Sequence, residues 1–161
     1  EMSTEAITEI YNASKDMEKD QQLMADVVKQ LVESKNTATA FKKDLAKEDK
    51  KNYKDQIKAS KDIITKIDKL IAVYIGSVDK RQGITRNPEV TVSRRYSSAR
   101  RYVGSRFGHL TTTEKQLISQ YKKALETAIN KTNTFFETDW KKYKTTLETI
   151  RISPFKEIQK F

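Results

Sequence analysis

The sequence has no cysteine and very few residues that interrupt a helix, with only 4 Gly and 2 Pro in 161 residues. Without cysteine the chain forms no disulfide and offers no thiolate to a metal. The shortage of glycine and proline favours long helices over a fold built from many turns. No apolar run reaches the roughly 18 residues of a membrane-spanning helix, and no secretory signal pattern opens the chain.

Charged residues make up 34% of the chain, and the formal net charge is +10. A composition this polar also occurs in disordered proteins, but here the apolar residues recur with a helical period. The first segment carries one apolar residue every seven positions, at 10, 17, 24, 31, 38 and 45. This spacing predicts a helix over residues 3–47 with a narrow buried seam, and a break near residues 35–37 is the alternative.

Three further helices are predicted from stripes of the same kind. The second covers residues 50–77, where apolar residues from Tyr53 to Val78 follow steps of four and three, and Gly76 marks its end. The third covers residues 88–108, with Asn87 as N-cap, Pro88 in the first turn and Gly108 as the stop. Its predicted stripe is Val92, Tyr96, Ala99, Val103 and Phe107.

The fourth helix is predicted over residues 111–153. Thr111 and Glu114 have the spacing of a capping box, and Ser153-Pro154 ends the segment. Two consecutive steps of four at 132–136–140 predict a local unwinding of its seam. The fold class predicted for the whole chain, as one domain over 1–161, is all-α: an antiparallel up-down-up-down four-helix bundle with long helices.

The arginines are concentrated in one part of the chain. Seven of the eight lie between Arg81 and Arg106, within a basic segment over residues 79–110. A helical wheel places Arg94 and Arg101 opposite the apolar stripe of the third helix. The candidate binding residues, for docking on a protein or for an anion, are Arg94, Arg95, Arg100, Arg101 and Arg106. The alternative is that these arginines pair with acids of the first helix, namely Glu5, Glu9, Asp16, Glu18, Asp20 and Asp26.

Residues for catalysis or metal binding are not found in any recognisable pattern. His109 is the only histidine, and neither a nucleophile triad, a metal-binding histidine motif nor a phosphate-binding loop is present. We therefore predict no catalytic residue, no metal site and no cofactor. Asp139, beside the predicted unwinding, is expected to make a structural hydrogen bond. Among the aromatic residues of the third and fourth predicted helices, Tyr102 and Phe135 fall outside the predicted seams.

Two stretches, STEAITEIYNASKDMEK and FFETDWKKYKTTLETIRIS, resemble the helical C-terminal region of large secreted bacterial proteins. Those proteins carry a sortilin-type β-propeller and are described as glycosyl hydrolases of the BNR-repeat kind. The resemblance implies an accessory module of a periplasmic or extracellular protein, whose propeller would hold any catalytic carboxylates. The opening EMSTEAI, without an initiator methionine, fits a piece of a larger protein.

Function is predicted at the level of interaction. The first hypothesis is a non-catalytic helical accessory module that docks through its arginine-rich helix, with the propeller of the same protein as partner. The alternative is a stand-alone binder of polyanions, either an acidic glycan or a nucleic acid, through residues 79–110. Nucleic acid is the less favoured polyanion, because the helices are too long for a helix-turn-helix motif.

Overall fold

The computed structural model describes residues 1–77 and 89–150, and all regular secondary structure in these residues is helical. The predicted all-α class is confirmed. No helix in the described part is both long and apolar enough to cross a lipid bilayer. The helices are α1 (Thr4–Asp49), α2 (Lys54–Ile75), α3 (Val92–Gly104), α4 (Thr112–Phe135) and α5 (Lys141–Glu148), and a π-helical turn over Phe136–Trp140 joins α4 to α5.

The longest helix, α1, follows its predicted seam. Met17, Leu31, Ala38 and Leu45 are all buried, and the helix continues without a break through residues 35–37. At its start the Ser3 hydroxyl accepts a hydrogen bond from the Ala6 amide, which satisfies one of the free N–H groups of the first turn. Burial of this seam, at about 25 cal/mol per Å² of apolar area, stabilises the helix against its neighbours.

The second helix is shorter than the predicted 50–77 but buries the predicted stripe. Ser60, Ile67 and Tyr74 are buried, whereas Val78 lies outside the described residues. The helix ends where Gly76 adopts a φ of +87° while its amide still donates to the Ala72 carbonyl. Only glycine adopts such a backbone conformation without strain, so the predicted position of the helix end is confirmed.

The third helix is shorter than predicted at both ends. It begins at Val92, and its N-cap is Thr91, whose hydroxyl accepts from the Arg94 amide. Residues 89–91 are not helical, so the predicted start at 88 is wrong; Asn87 and Pro88 themselves lie outside the described residues. The helix ends at Gly104 rather than at residue 108, because the chain tightens into a final turn in which the Arg106 amide donates to the Val103 carbonyl.

The fourth predicted helix is α4, the π-helical turn and α5 together. The Thr111–Glu114 capping box is present, and the π-helical turn lies where the seam was predicted to unwind. The helix ends at Glu148 instead of residue 153, and Ser153-Pro154 lies outside the described residues.

The directions of the helices differ from the predicted up-down-up-down order. Glu9 of α1 contacts His109, just before α4, and Asp20 further along α1 contacts Lys122 further along α4, so these two helices run in the same direction. In contrast, Ser60 contacts Tyr143 of α5 while Tyr74, later in α2, contacts Thr132, earlier in α4, so α2 runs opposite to α4 and α5. The hydrogen bonds from Tyr96 to Gln21 and from His109 to Glu9 give α3 the direction of α2.

The core has two parts, and each part is made by several neighbouring helical segments. The larger part joins the second half of α1 with α2, the second half of α4 and α5, and the smaller part joins the first half of α1 with α3 and the start of α4. At 1.5 Å per residue, the 46-residue α1 is about 69 Å long, while α2 and α3 span about 33 and 20 Å. Neither of the shorter helices is long enough to cover α1 alone. They lie one after the other along it, with α3 against its first half and α2 against its second half.

Candidate functional site

The outward side of α3 presents four arginines, which we call the arginine face: Arg94, Arg95, Arg100 and Arg101. All four are exposed, because α3 turns its apolar stripe toward the smaller core. None of them forms an ion pair with a carboxylate of the described residues. Four guanidinium groups therefore project from one short helix without a neutralising partner in that part of the chain.

Two members of the arginine face contact neighbouring aromatic residues. The Arg100 Nη1 atom donates to the Tyr96 hydroxyl at 3.1 Å, and this hydrogen bond is the main reason that the pKa of Arg100 is raised. The Arg101 guanidinium lies 5.7 Å from the centre of the exposed Tyr102 ring, within the range of a cation–π contact. Arginines and exposed aromatic rings together are typical of protein interaction surfaces.

Arg106 and Phe107 lie after the end of α3, so their predicted positions on the helical wheel are wrong. Arg106 is half-buried, and its Nε atom donates to the His109 carbonyl at 2.9 Å, which holds the connection between α3 and α4. Phe107 was predicted to be part of the buried stripe, but it is 74% exposed. The sequence-predicted anion site thus divides into four arginines on the helix and one that stabilises a turn.

The acidic residues of α1 do not neutralise the arginines of α3, because they pair with other groups. The Lys122 ammonium lies 2.6 Å from Asp16 and 2.8 Å from Asp20, and the hydrogen bond from Lys122 lowers the pKa of Asp16. Glu9 accepts from His109 at 2.8 Å, and this bond lowers the pKa of Glu9. Among the other candidates, Glu18 pairs with Lys15, Asp26 accepts from Gln22, and Glu5 bonds to backbone and Ser3 at the start of α1.

A groove of about 490 Å³ lies beside Arg95, between the end of α2, the start of α3 and one side of α4. Its apolar surface includes Val73 and Val90, which are 39% and 70% exposed. Two lysines of α4, Lys123 and Lys131, also line it. The groove therefore combines exposed apolar side chains with three cationic groups, next to the arginine face.

The sequence analysis did not identify this groove. One signal for it was present in the sequence: steps of four residues separate Lys123, Thr127 and Lys131. This spacing places the three side chains on one side of α4 and could have indicated a shared surface. Val90 was assigned to the third helix, although it precedes that helix. The groove forms only because α2 and α3 follow one another along α1, which the predicted order of helices did not include.

Asp139 and Phe135, which the sequence analysis singled out, are explained by packing. Asp139 lies 3.0 Å from Lys66, and its side chain is 43% exposed; it borders a small cavity of about 270 Å³ together with Asp62. Its contact with Lys66 is an ordinary ion pair at the protein surface. Phe135 was expected outside the seam, but it is 6% exposed in the larger core.

Among residues 1–77 and 89–150, no group of three or more histidine or carboxylate side chains is positioned to hold a metal ion. No protein family matches this chain, and neither a curated protein nor a solved structure shows significant similarity to it.

Proposed function

We propose that this chain is a non-catalytic helical interaction module that docks on a partner protein through the arginine face. The observation that carries the proposal is that four exposed arginines of one short helix have no carboxylate partner in the described part of the chain. Arginine binds carboxylates with two parallel hydrogen bonds, and it loses less hydration than lysine when it is covered. An acidic protein surface is therefore the partner chemistry that suits this face.

The resemblance to secreted propeller proteins gives the first partner to test. If the chain is the C-terminal part of such a protein, the propeller of the same polypeptide would carry the acidic surface. The bundle would then support an enzyme without taking part in its chemistry. Its place would be the periplasm or the extracellular space, as for the proteins that it resembles.

Charge reversal on the arginine face tests the proposal. In binding measurements between the whole chain and the recombinant propeller, Arg94→Glu with Arg101→Glu is expected to weaken binding at least about tenfold, or about 1.4 kcal/mol. Lys54→Glu with Lys58→Glu changes the net charge equally at two exposed positions of α2, and it should leave binding unchanged. Equal binding by the arginine variant and the unmodified chain would overturn the assignment of the face.

The alternative function, polyanion binding, predicts a different result. The same basic segment would then bind heparin or duplex DNA, with an affinity that falls steeply as salt is added. Binding to either polymer that persists at about 0.3 M salt, together with no binding to the propeller, would favour this alternative. The propeller-binding and polyanion-binding measurements use the same variants, so one set of proteins distinguishes the two functions.

A further inference from the structure

The groove beside Arg95 is apolar at its base and positively charged around its edge. Val92 and Ala128 are buried at the base, while the exposed Val73 and Val90 form part of the sides. Every charged residue that lines the groove is a cation, namely Arg95, Lys123 and Lys131. An apolar centre with a charged rim is the usual arrangement of a protein interaction site.

The three cations of the groove are not neutralised by the described residues, since none of them forms an ion pair there. This distinguishes them from Lys115 and Lys122 of the same helix α4, which bind carboxylates of α1. Lys123 and Lys131 are eight residues apart, which corresponds to about 12 Å along the helix axis. Their charges are therefore available at two separate points along one side of the groove.

We propose that this groove receives an apolar side chain from an acidic segment of the partner protein, with carboxylates on either side of that chain contacting Arg95, Lys123 and Lys131. The inference rests on the proposed docking function and specifies the chemistry of the partner. A volume of about 490 Å³ is within the range of ordinary ligand sites. A glycan or a nucleic acid would satisfy the cations but would leave the valines uncovered, so an acidic protein segment fits better.

The test starts from a displayed library of random short peptides, selected against the whole chain. Selected peptides should place Asp or Glu on both sides of Leu, Ile or Phe. Their affinity is then measured by fluorescence anisotropy with a synthetic labelled copy. Failure to select such peptides would overturn the inference.

A variant that fills the groove separates the apolar contribution from the charges. Thr127 lines the groove, is exposed, and donates only to the Lys123 carbonyl of its own helix, so Thr127→Trp should fold normally. It is expected to weaken peptide binding at least about tenfold. Thr145→Trp is the matched control, because Thr145 is exposed and donates to the Lys141 carbonyl in the same way. Equal affinities of these two variants would contradict the proposed groove.

Charge reversal completes the test. Lys123→Glu with Lys131→Glu should also weaken binding of the selected peptide at least about tenfold, whereas Lys54→Glu with Lys58→Glu should not. Heparin binding that is lost in the first variant but unaffected by Thr127→Trp, without peptide binding, would assign the cations to a polyanion instead. If propeller binding depends on the arginine face but is unchanged by Thr127→Trp, the groove inference alone is wrong. If the chain does not bind the propeller at all, the proposed function is wrong.

Discussion

At the scale of single residues, Gly76 ends α2 beside the residues that precede α3. Its φ of +87° ends α2, and the following Ser77 donates hydrogen bonds from its amide and its hydroxyl to the Glu89 carboxylate, at 2.9 and 2.8 Å. Glu89 lies two residues before Thr91, the N-cap of α3. The end of one helix is therefore held next to the start of the next, and this contact helps to orient the arginine face.

Gly76→Ala is expected to destabilise the protein by about 1–3 kcal/mol, because alanine is strained at this φ. An added Cβ would also lie only 3.1 Å from the Glu89 Oε2 atom. Gly104→Ala is the control, since a Cβ there would meet no atom within 4 Å, and its effect should lie between neutral and a gain of about 1 kcal/mol. Urea denaturation measures both free energies of unfolding, and an equal loss in the two variants would show that Gly76 has no special role.

At the scale of helices, the apolar pattern predicts which side of each helix is buried. The seam of α1 and the stripe of α2 are confirmed, because a regular helix repeats its orientation predictably over many residues. The predicted directions of the helices were wrong, because a buried stripe does not indicate which other helix covers it. The lysines and valines of the groove come from different helices, so they could not be grouped before those directions were known.

The π-helical turn shows why the positions of individual side chains were harder to predict. The wheel for the fourth helix assumed regular α-helical geometry, which assigned Phe136 to the seam and Phe135 to the outside. In the π-helical turn the backbone bonds span five residues instead of four, so one additional residue is accommodated and the register shifts. Phe135 itself is the last residue of α4 and is buried three residues after the buried Thr132, so the step of four from Thr132 to Phe136 was the wrong one; Phe136 and Trp140, in the π-helical turn, are half-buried and pack against Phe135.

Deleting one residue from the π-helical turn should therefore be tolerated. Removing the exposed Glu137 converts the turn to regular α-helix, and the residues of α5 keep their orientation toward the core. Removing the exposed Glu126 from α4 instead rotates everything beyond it by about 100°, which takes Phe135, Tyr143 and Leu147 out of the core. Each large apolar side chain lost from a core costs about 2–5 kcal/mol. Thermal unfolding followed by circular dichroism should show a cooperative transition only for the first deletion, and equally unstable proteins would contradict this account.

At the scale of the whole molecule, the two parts of the core differ in size. The larger contains twelve buried residues, and the smaller, beneath the arginine face, contains six. The smaller part is supplemented by contacts between α1 carboxylates and the α4 end, where Lys122 holds Asp16 and Asp20, and His109 with Lys115 holds Glu9. Because apolar burial is limited at this end, its stability depends more strongly on charge.

We therefore expect acid to open the α3 end before the α2 end. The pKa values of Glu9 and Asp16 are lowered in the folded protein by hydrogen bonds from His109 and Lys122. A lowered carboxyl pKa contributes stability that is complete above the unfolded value of about 4 and is lost as the pH falls through the folded value. Once these carboxylates are protonated, they no longer pair with His109 and Lys122, and the contacts that hold the first half of α1 against the α4 end are weakened.

Hydrogen exchange followed by NMR between about pH 2 and pH 7 measures this difference directly. The amides of α3 should lose protection below about pH 4, whereas those of α2 remain protected to lower pH. Glu9→Gln with Asp16→Asn should make the protection of α3 less dependent on pH, since two of the carboxylates whose pKa is lowered have been removed, while Glu5 and Glu114 remain. If α2 and α3 lost protection together at every pH, the two parts of the core would unfold as one cooperative unit, and the arginine face would be as stable as the rest of the bundle.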